Sequence, residues 1–414
     1  MRILRINDWT GPPGGTEIYI SAVSGALEAQ GHPQRVVSIT DAVEVAKYQP
    51  DKWEEVLSLR QMGVRRLFED MASSSAASRR LESILDEFKP DIVHLHHFDS
   101  LYTPVANFLA KCQVPIVMTV HDAKLVCPIA TLVLPDGSTC EGGILPRCQF
   151  TGCEVGFGLP YKLDQDYVFR HVVAPHVAMF VAPSRSAAEF LDRHGFGPLK
   201  VMPSFADIPE DVVAHPPPLP TGSPTVGYLG RLEKYKGPGT LLQAVAKARK
   251  SVPGLKVIIA GRGPYEEVLR QQAHDLHLDT DGAVEFPGWV DGEAKEDFFA
   301  KIHVLAVPSE GHENFGLIGL EAMARGRPCI GSKLGGIPDW LEDGAFGLLL
   351  PPRDPDAWAA GIVASFEDMS KLNRWGEAAR KRYRERFHPS IHVASLLALY
   401  GEVLQKAGKH PVAR

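Results

Sequence analysis

Short apolar runs alternate with amphipathic segments almost from end to end of the chain. This pattern predicts parallel strands covered by helices on both faces. In the first half, Arg2–Ile6, Arg35–Ile39, Asp91–His96, Pro115–Val120, Met179–Ala182 and Leu199–Met202 read as strands. Thr16–Gln30 reads as a helix stopped by Gly31-His32-Pro33, and Val64–Phe88 carries a helix-length pattern. Periodicity then fails in a proline-rich stretch, 206–224, which reads as a connector. Beyond it, strands are expected at Thr225–Leu229, Lys256–Ala260, Ala283–Phe286, His303–Val307 and Pro328–Gly331. Helices are expected at Pro238–Ser251, Pro264–Leu276, Phe315–Arg325 and Pro355–Phe366, and the C-terminal residues read as helical with a break near His388-Pro389. The expected class is α/β: two doubly wound, Rossmann-like domains, 1–205 and 225–388, facing each other across a cleft, followed by a helix in 389–414.

In open α/β sheets ligands bind beyond the carboxyl ends of strands, so the chemistry is sought there. The first strand runs into Gly11-Pro12-Pro13-Gly14-Gly15-Thr16-Glu17, where glycines at a helix start would let N–H groups approach an anion. An ordinary glycine-rich turn reads equally well. After the strand at Thr225 come Arg231 and Lys236 in a glycine-flanked loop, two cations able to neutralise a diphosphate without a metal. The bland alternative is two solvated surface charges. After the strand at His303 come Glu313 and Glu321, bracketing Phe315-Gly316-Leu317. If that tripeptide forms a first helical turn, its N–H groups are placed for a phosphate, with a carboxylate on either side for hydroxyl-rich groups. A capping acid and a buried, paired carboxylate would look the same.

His121-Asp122 follows the strand Pro115–Val120, where a histidine can contact a sugar or move a proton. His94 and His96 share one strand face; polar contacts at the strand end are favoured over a metal pair, because no third ligand is evident. Cys127, Cys140, Cys148 and Cys153 fall in a loop-like stretch, 121–160, whose loose spacing leaves open a structural zinc or four packed thiols. The pairs Asp164/Asp166, Asp279/Asp281 and Asp354/Asp356 follow no strand and read as helix or turn sites.

The balance of 44 Lys and Arg against 50 Asp and Glu gives a formal charge of −6. That argues against a dedicated nucleic-acid binder, and no apolar run approaches the ~20 residues of a membrane-spanning helix. Peripheral membrane contact through Arg60, Arg65, Arg66, Arg79 and Arg80 stays open, although Glu69, Asp70, Glu82 and Asp86 dilute their charge. With no signal-like N-terminus the expected compartment is the cytoplasm, where the six cysteines would be thiols or metal ligands.

Taken in order, these motifs resemble those of the family 4 glycosyltransferases, enzymes of the GT-B fold that retain configuration at the anomeric carbon. Gly335-Gly336-Ile337-Pro338-Asp339 and Phe387-His388 extend the resemblance over nearly the whole chain. It implies that 1–205 takes the acceptor and 225–388 the nucleotide-sugar donor, and that the last helix packs back on the first domain. Arg231 and Lys236 would hold the donor diphosphate, and Glu321 the ribose hydroxyls. Glu313 and the backbone at Phe315, Gly316 and Leu317 would hold the sugar and distal phosphate, with Val290 flanking the nucleobase. His121 would approach the sugar from the other domain, and Gly15 would lie beside the phosphates and acceptor. Catalysis would need no metal, and a zinc at Cys127, Cys140, Cys148 and Cys153 would be structural. A UDP-sugar is the favoured donor and a glycan, lipid-linked or small-aglycone hydroxyl the acceptor. An epimerase of similar fold and a non-catalytic sugar-nucleotide-binding partner are the competing readings. The sequence departs from the family pattern at Arg262 and Asp339, where acid and glutamate are more usual.

Overall fold

The computed structural model describes residues 1–8, 15–40, 52, 54–58, 76–97, 103–134, 137–144, 148, 150–151, 153 and 159–408. The glycine-rich segment 11–14 and Arg60, Arg65 and Arg66 lie outside them, as does the start of the helix expected from Val64.

The chain divides into two compact units, one of Met1–Pro135, Glu141–Pro203 and Pro389–Arg414, the other of Asp136–Cys140 and Ser204–His388. In chain order the first unit contains β1 (Ile3–Asp8), α1 (Gly15–Ala29), β2 (Gln34–Thr40), β3 (Glu54–Ser58), α2 (Ala76–Phe88) and β4 (Ile92–Leu95). It continues with α3 (Thr103–Lys111), β5 (Ile116–Thr119), α4 (Leu159–Val168), β6 (Val177–Ala182), α5 (Arg185–Arg193) and β7 (Leu199–Val201). The second unit contains α6 (Glu210–Ala214), β8 (Thr225–Leu229), α7 (Pro238–Ala248), β9 (Lys256–Ala260), α8 (Glu266–Asp275), β10 (Val284–Gly288) and α9 (Gly292–Lys301). Next come β11 (Val304–Val307), α10 (Leu317–Ala324), β12 (Cys329–Ser332), α11 (Ile337–Trp340), β13 (Gly347–Leu350), α12 (Pro355–Phe366) and α13 (Met369–Arg386). α14 (Pro389–Lys406) returns to the first unit, where Tyr19 of α1 and His392 are 2.7 Å apart, Oη to Nε2.

Both sheets are parallel. The first has the order β3-β2-β1-β4-β5-β6-β7 and the second β10-β9-β8-β11-β12-β13. Their central strands are covered on both faces, which is why β11 reads as an unbroken apolar run and why β1, although it carries Arg5, Asn7 and Asp8, is likewise buried at every position. In each sheet the order reverses once, between β1 and β4 and between β8 and β11. At such a reversal the loops leaving neighbouring strands diverge to opposite faces and open a crevice at the strand ends.

The 206–224 stretch is packed into the second unit. Ala206, Ile208 and Val213 are buried in its core, and Tyr383 Oη donates to Ala206 O at 2.9 Å. Its irregular apolar spacing, rather than a lack of burial, removed the periodic signal. Among the described residues no helix is long and apolar enough to cross a membrane.

Candidate functional site

A cavity of about 220 Å³ opens at the strand-order reversal of the second unit. Its floor is the carboxyl ends of β8, at Tyr228 and Leu229, and β11, at Ala306 and Val307. Its rim brings together Arg231, Lys236, Ser309, Glu313, Gly316 and Leu317. Five of these, all but Ser309, are residues that the sequence pattern singles out.

Lys236 stands at the end of a 3₁₀ turn, Lys234–Lys236, between β8 and α7. Its Nζ lies 2.7 Å from Glu313 Oε2, which also accepts from Ser309 Oγ at 3.0 Å. Burial works against both charges. For Lys236 the Glu313 carboxylate outweighs it and holds the ammonium above its ordinary pKa. For Glu313 the Lys236 ammonium, helped by Ser309, outweighs burial and holds the carboxyl below its ordinary value. The pair is therefore ionised at neutral pH. Arg231 Nη2 donates to Tyr235 Oη at 2.8 Å, and Arg231 O accepts from Tyr228 Oη at 2.7 Å, which orients the start of the loop.

The Glu313 loop is braced from behind. Gly336 N donates to Glu313 O at 2.7 Å, and Trp340 Nε1 donates to Phe315 O at 2.5 Å. Gly335 has φ +57°, and a Cβ there would come within 2.3 Å of Glu313 O, so only glycine lets the two loops meet. The loop enters α10 through Gly316, whose φ of 88° turns the chain into the helix. The helix thus starts at Leu317. Phe315 lies before it, 3% exposed and edge-on to Phe387 at 6.0 Å, so the expected Phe315-Gly316-Leu317 turn is shortened. The first N–H groups of α10 have no intrahelical acceptor and carry the positive end of the helix dipole beside Lys236 and Arg231. The cavity thus offers two cations, a helix start and one carboxylate, a set suited to a polyphosphate bearing a hydroxylated group.

The remaining sequence candidates fall elsewhere. Glu321 is one turn inside α10 and pairs with Lys295 of α9 at 3.0 Å. Val290 is 7% exposed within the core of the second unit, while its neighbour Trp289 is 57% exposed. Gly15 is the exposed first residue of α1 in the first unit. His121, also in the first unit, is partly buried, with Nε2 2.9 Å from His96 Nδ1. The metal alternative at His94 and His96 does not hold. Both are fully buried, and Arg5 Nη1 occupies the space between them, 3.0 Å from His94 Nδ1 and 3.2 Å from His96 Nε2. A guanidinium there repels a cation.

The zinc set is likewise not assembled. Among the described residues, no three of His, Cys, Asp or Glu come together as metal ligands. None of the six cysteines is in a disulfide; Cys127 sits in the main apolar cluster of the first unit and Cys148 packs with Ile144. Cys148 Sγ donates to Gly143 O at 3.8 Å, and Cys153 Sγ is 3.2 Å from Thr151 Oγ1. Cys127 and Cys148 are thus packed as small hydrophobes. Exhaustive chelation is accordingly expected to leave the thermal unfolding midpoint unchanged. A drop of several degrees that added zinc reverses would overturn this assignment.

The Asp-x-Asp pairs have structural partners. Asp166 binds Arg170 at 2.8 Å, Asp279 and Asp281 pair with His274 and Arg249, and Asp354 caps α12. Sequence reasoning missed Ser309, although its position four residues before Glu313 is the available signal. It also missed Arg5, whose only signal is a charge inside an apolar strand.

Two parallel-sheet, Rossmann-like units, one with an anion-suited cavity at its strand-order reversal, define the GT-B class of architecture. Two family models cover most of the chain: Glycosyltransferase Family 4 over residues 13–209 and Glycosyl transferases group 1 over residues 213–382. The chain belongs to this glycosyltransferase family. A phosphatidyl-myo-inositol mannosyltransferase of Mycolicibacterium smegmatis is 36% identical over 211 residues, 50% of this chain and 50% of that protein. The match thus spans half the length of that relative. Among solved structures, a sucrose-phosphate synthase of Thermosynechococcus elongatus superposes with a TM-score of 0.71 at 19% identity, covering 98% of this chain and 99% of that one. HepE of Anabaena, solved in complex with UDP, superposes with a TM-score of 0.69 at 20% identity, covering 97% and 100%.

Proposed function

We propose that this protein transfers a sugar from a nucleotide-sugar donor to an acceptor hydroxyl, with retention at the anomeric carbon and without a catalytic metal. The observation that carries the reading is the Lys236–Glu313 pair at the start of α10 within one cavity. In the transition state of such a transfer, negative charge grows on the departing diphosphate and positive charge on the sugar. Lys236, Arg231 and the N–H groups of α10 would take the first, while Glu313 faces the second. Glu321, which pairs with Lys295, is given the ribose hydroxyls. His121 is given a hydroxyl of the sugar, and Gly15 the acceptor side. A UDP-sugar is the favoured donor, in line with the UDP bound by HepE. The acceptor is a hydroxyl of a glycan, a lipid-linked saccharide or a small aglycone. Six cysteines outside disulfides accord with a cytoplasmic setting.

Thermal unfolding against UDP-, GDP- and dTDP-sugars, with and without magnesium, tests the donor half. One nucleotide class is expected to raise the midpoint with no need of metal. A ligand at 100 times its dissociation constant adds about 2.7 kcal/mol to native-state stability. Acceptor-dependent nucleotide release with that donor then tests transfer. No shift with any donor would overturn the reading, and a changed sugar without acceptor would replace it with an epimerase.

A further inference from the structure

Arg5, in the middle of β1, is fully buried, and among the described residues no carboxylate pairs with it. Its partners are neutral: Gln34 Oε1 at 3.3 Å, Tyr400 Oη at 3.5 Å, His94 Nδ1 and His96 Nε2. A guanidinium has donors only, so each ring nitrogen it meets must present a lone pair. The two hydrogens of Nη1 thereby decide two tautomers. His94 carries its proton on Nε2 and donates to Thr119 Oγ1 at 2.8 Å. His96 carries its proton on Nδ1 and donates to His121 Nε2 at 2.9 Å. His121 must then accept on Nε2, which leaves its proton on Nδ1. The rings are held for this in near-parallel stacks, His94 to His96 at 4.4 Å and His96 to His121 at 5.2 Å. Burial first, and after it Arg5 and the cost of charging one histidine beside another, hold the pKa of all three well below the ordinary histidine value, so each carries a single proton at neutral pH. Among the described residues, no hydrogen-bond acceptor meets His121 Nδ1.

We infer that Arg5 and His96 are positioning residues that lock His121 as a neutral imidazole with its proton on Nδ1, so that it meets its ligand only as a hydrogen-bond donor. This rests on the reading of His121 as a sugar contact, where a fixed donor selects a hydroxyl or ring oxygen able to accept. An imidazole so locked does not take a proton from an acceptor hydroxyl through Nδ1, so His121 is not the base of the reaction.

The test is the ¹⁵N spectrum of the imidazole rings in ¹⁵N-histidine-labelled full-length protein at neutral pH, with His121 assigned by its loss in His121→Gln. The expected result is a protonated Nδ1 and a bare Nε2 for His96 and His121, with the reverse for His94. His96→Leu removes the donor and is expected to release His121 to the Nε2–H form that a free side chain prefers. His96→Asn, whose amide nitrogen replaces Nδ1–H, is expected to restore the native tautomer. With a donor in hand, His96→Leu should lower kcat about tenfold with little change in donor KM, and His96→Asn should recover it. A proton on Nε2 of His121 in the unaltered protein overturns the inference, as does a His96→Leu spectrum identical to it. The ring spectrum is read without turnover, so absence of transferase activity would count against the proposed function and leave the tautomer assignment standing or falling on its own.

Discussion

Lys236→Ala is expected to lower the rate of sugar transfer by about 100- to 1,000-fold while the protein remains folded, the range found when one preorganised charge-stabilising donor is removed from an active site. Lys236 is the cation aligned with the start of α10, so its removal takes away a charge that meets the diphosphate as the sugar bond breaks. Arg231 and the N–H groups of Gly316, Leu317 and Ile318 remain at the cavity. Binding should therefore weaken less than turnover falls. The variant also exposes Glu313. With the ammonium gone, burial is no longer outweighed, and the carboxyl climbs toward the neutral form that cannot support a cationic sugar. Arginine is not expected to rescue, because its fork needs room that the 2.7 Å contact with Glu313 does not leave. Donor titration and single-turnover rates, with circular dichroism as the folding control, read all of this. Transfer by Lys236→Ala at the unaltered rate would remove Lys236 from the chemistry and, with it, the argument for the cavity.

β8, β9 and α12 start and end where the apolar pattern places them, because an unbroken run or a full helical period leaves no other register. β3 and β13 were missed, and both are sheet edges. β3 begins with Glu54 and Glu55, whose carboxylates are met by Ser38, Arg35 and Arg80, so its polarity is satisfied by partners far away in sequence. The site was legible as far as its charges sit in loops next to strand ends: Arg231, Lys236 and Glu313. Within the Gly288-Trp289-Val290 segment the structure turns Val290 inward and leaves Trp289 exposed, an alternation that the sequence does not orient. The Arg5 network could not be read at all. Its members come from β1, β4, the segment after β5 and α14, and nothing local in the sequence requires a buried arginine to be satisfied by histidines.

The same network makes the first unit acid-labile. His94, His96, His121 and His392 all belong to it, and burial depresses each, His392 to about 4. A group whose folded pKa lies below its unfolded value leaves stability whole above the unfolded pKa, near 6.5 for histidine, and erodes it as pH falls toward the folded pKa. For His392 alone the full loss is about 3 kcal/mol, reached near its folded pKa. Most of the carboxylate titration lies lower still. Glu55 and Glu313 are held below the ordinary carboxyl value, so they keep their stabilising charge until the pH falls beneath it. The interval from pH 6.5 to 5 therefore isolates the histidines. In the second unit His303 is depressed, mainly by burial, and the exposed His274 is shifted the opposite way by Asp279. Calorimetric scans between pH 8 and 5 should show one transition moving to lower temperature below pH 6.5. Emission from Trp340, Trp358 and Trp375, buried in the second unit, should follow a later transition that moves less. His392→Gln, which keeps an acceptor for Tyr19, should flatten the pH slope of the first transition. If the midpoint is as level between pH 6.5 and 5 as between 8 and 7, these histidines are not buried in the neutral form, and the tautomer chain built on Arg5 fails with them.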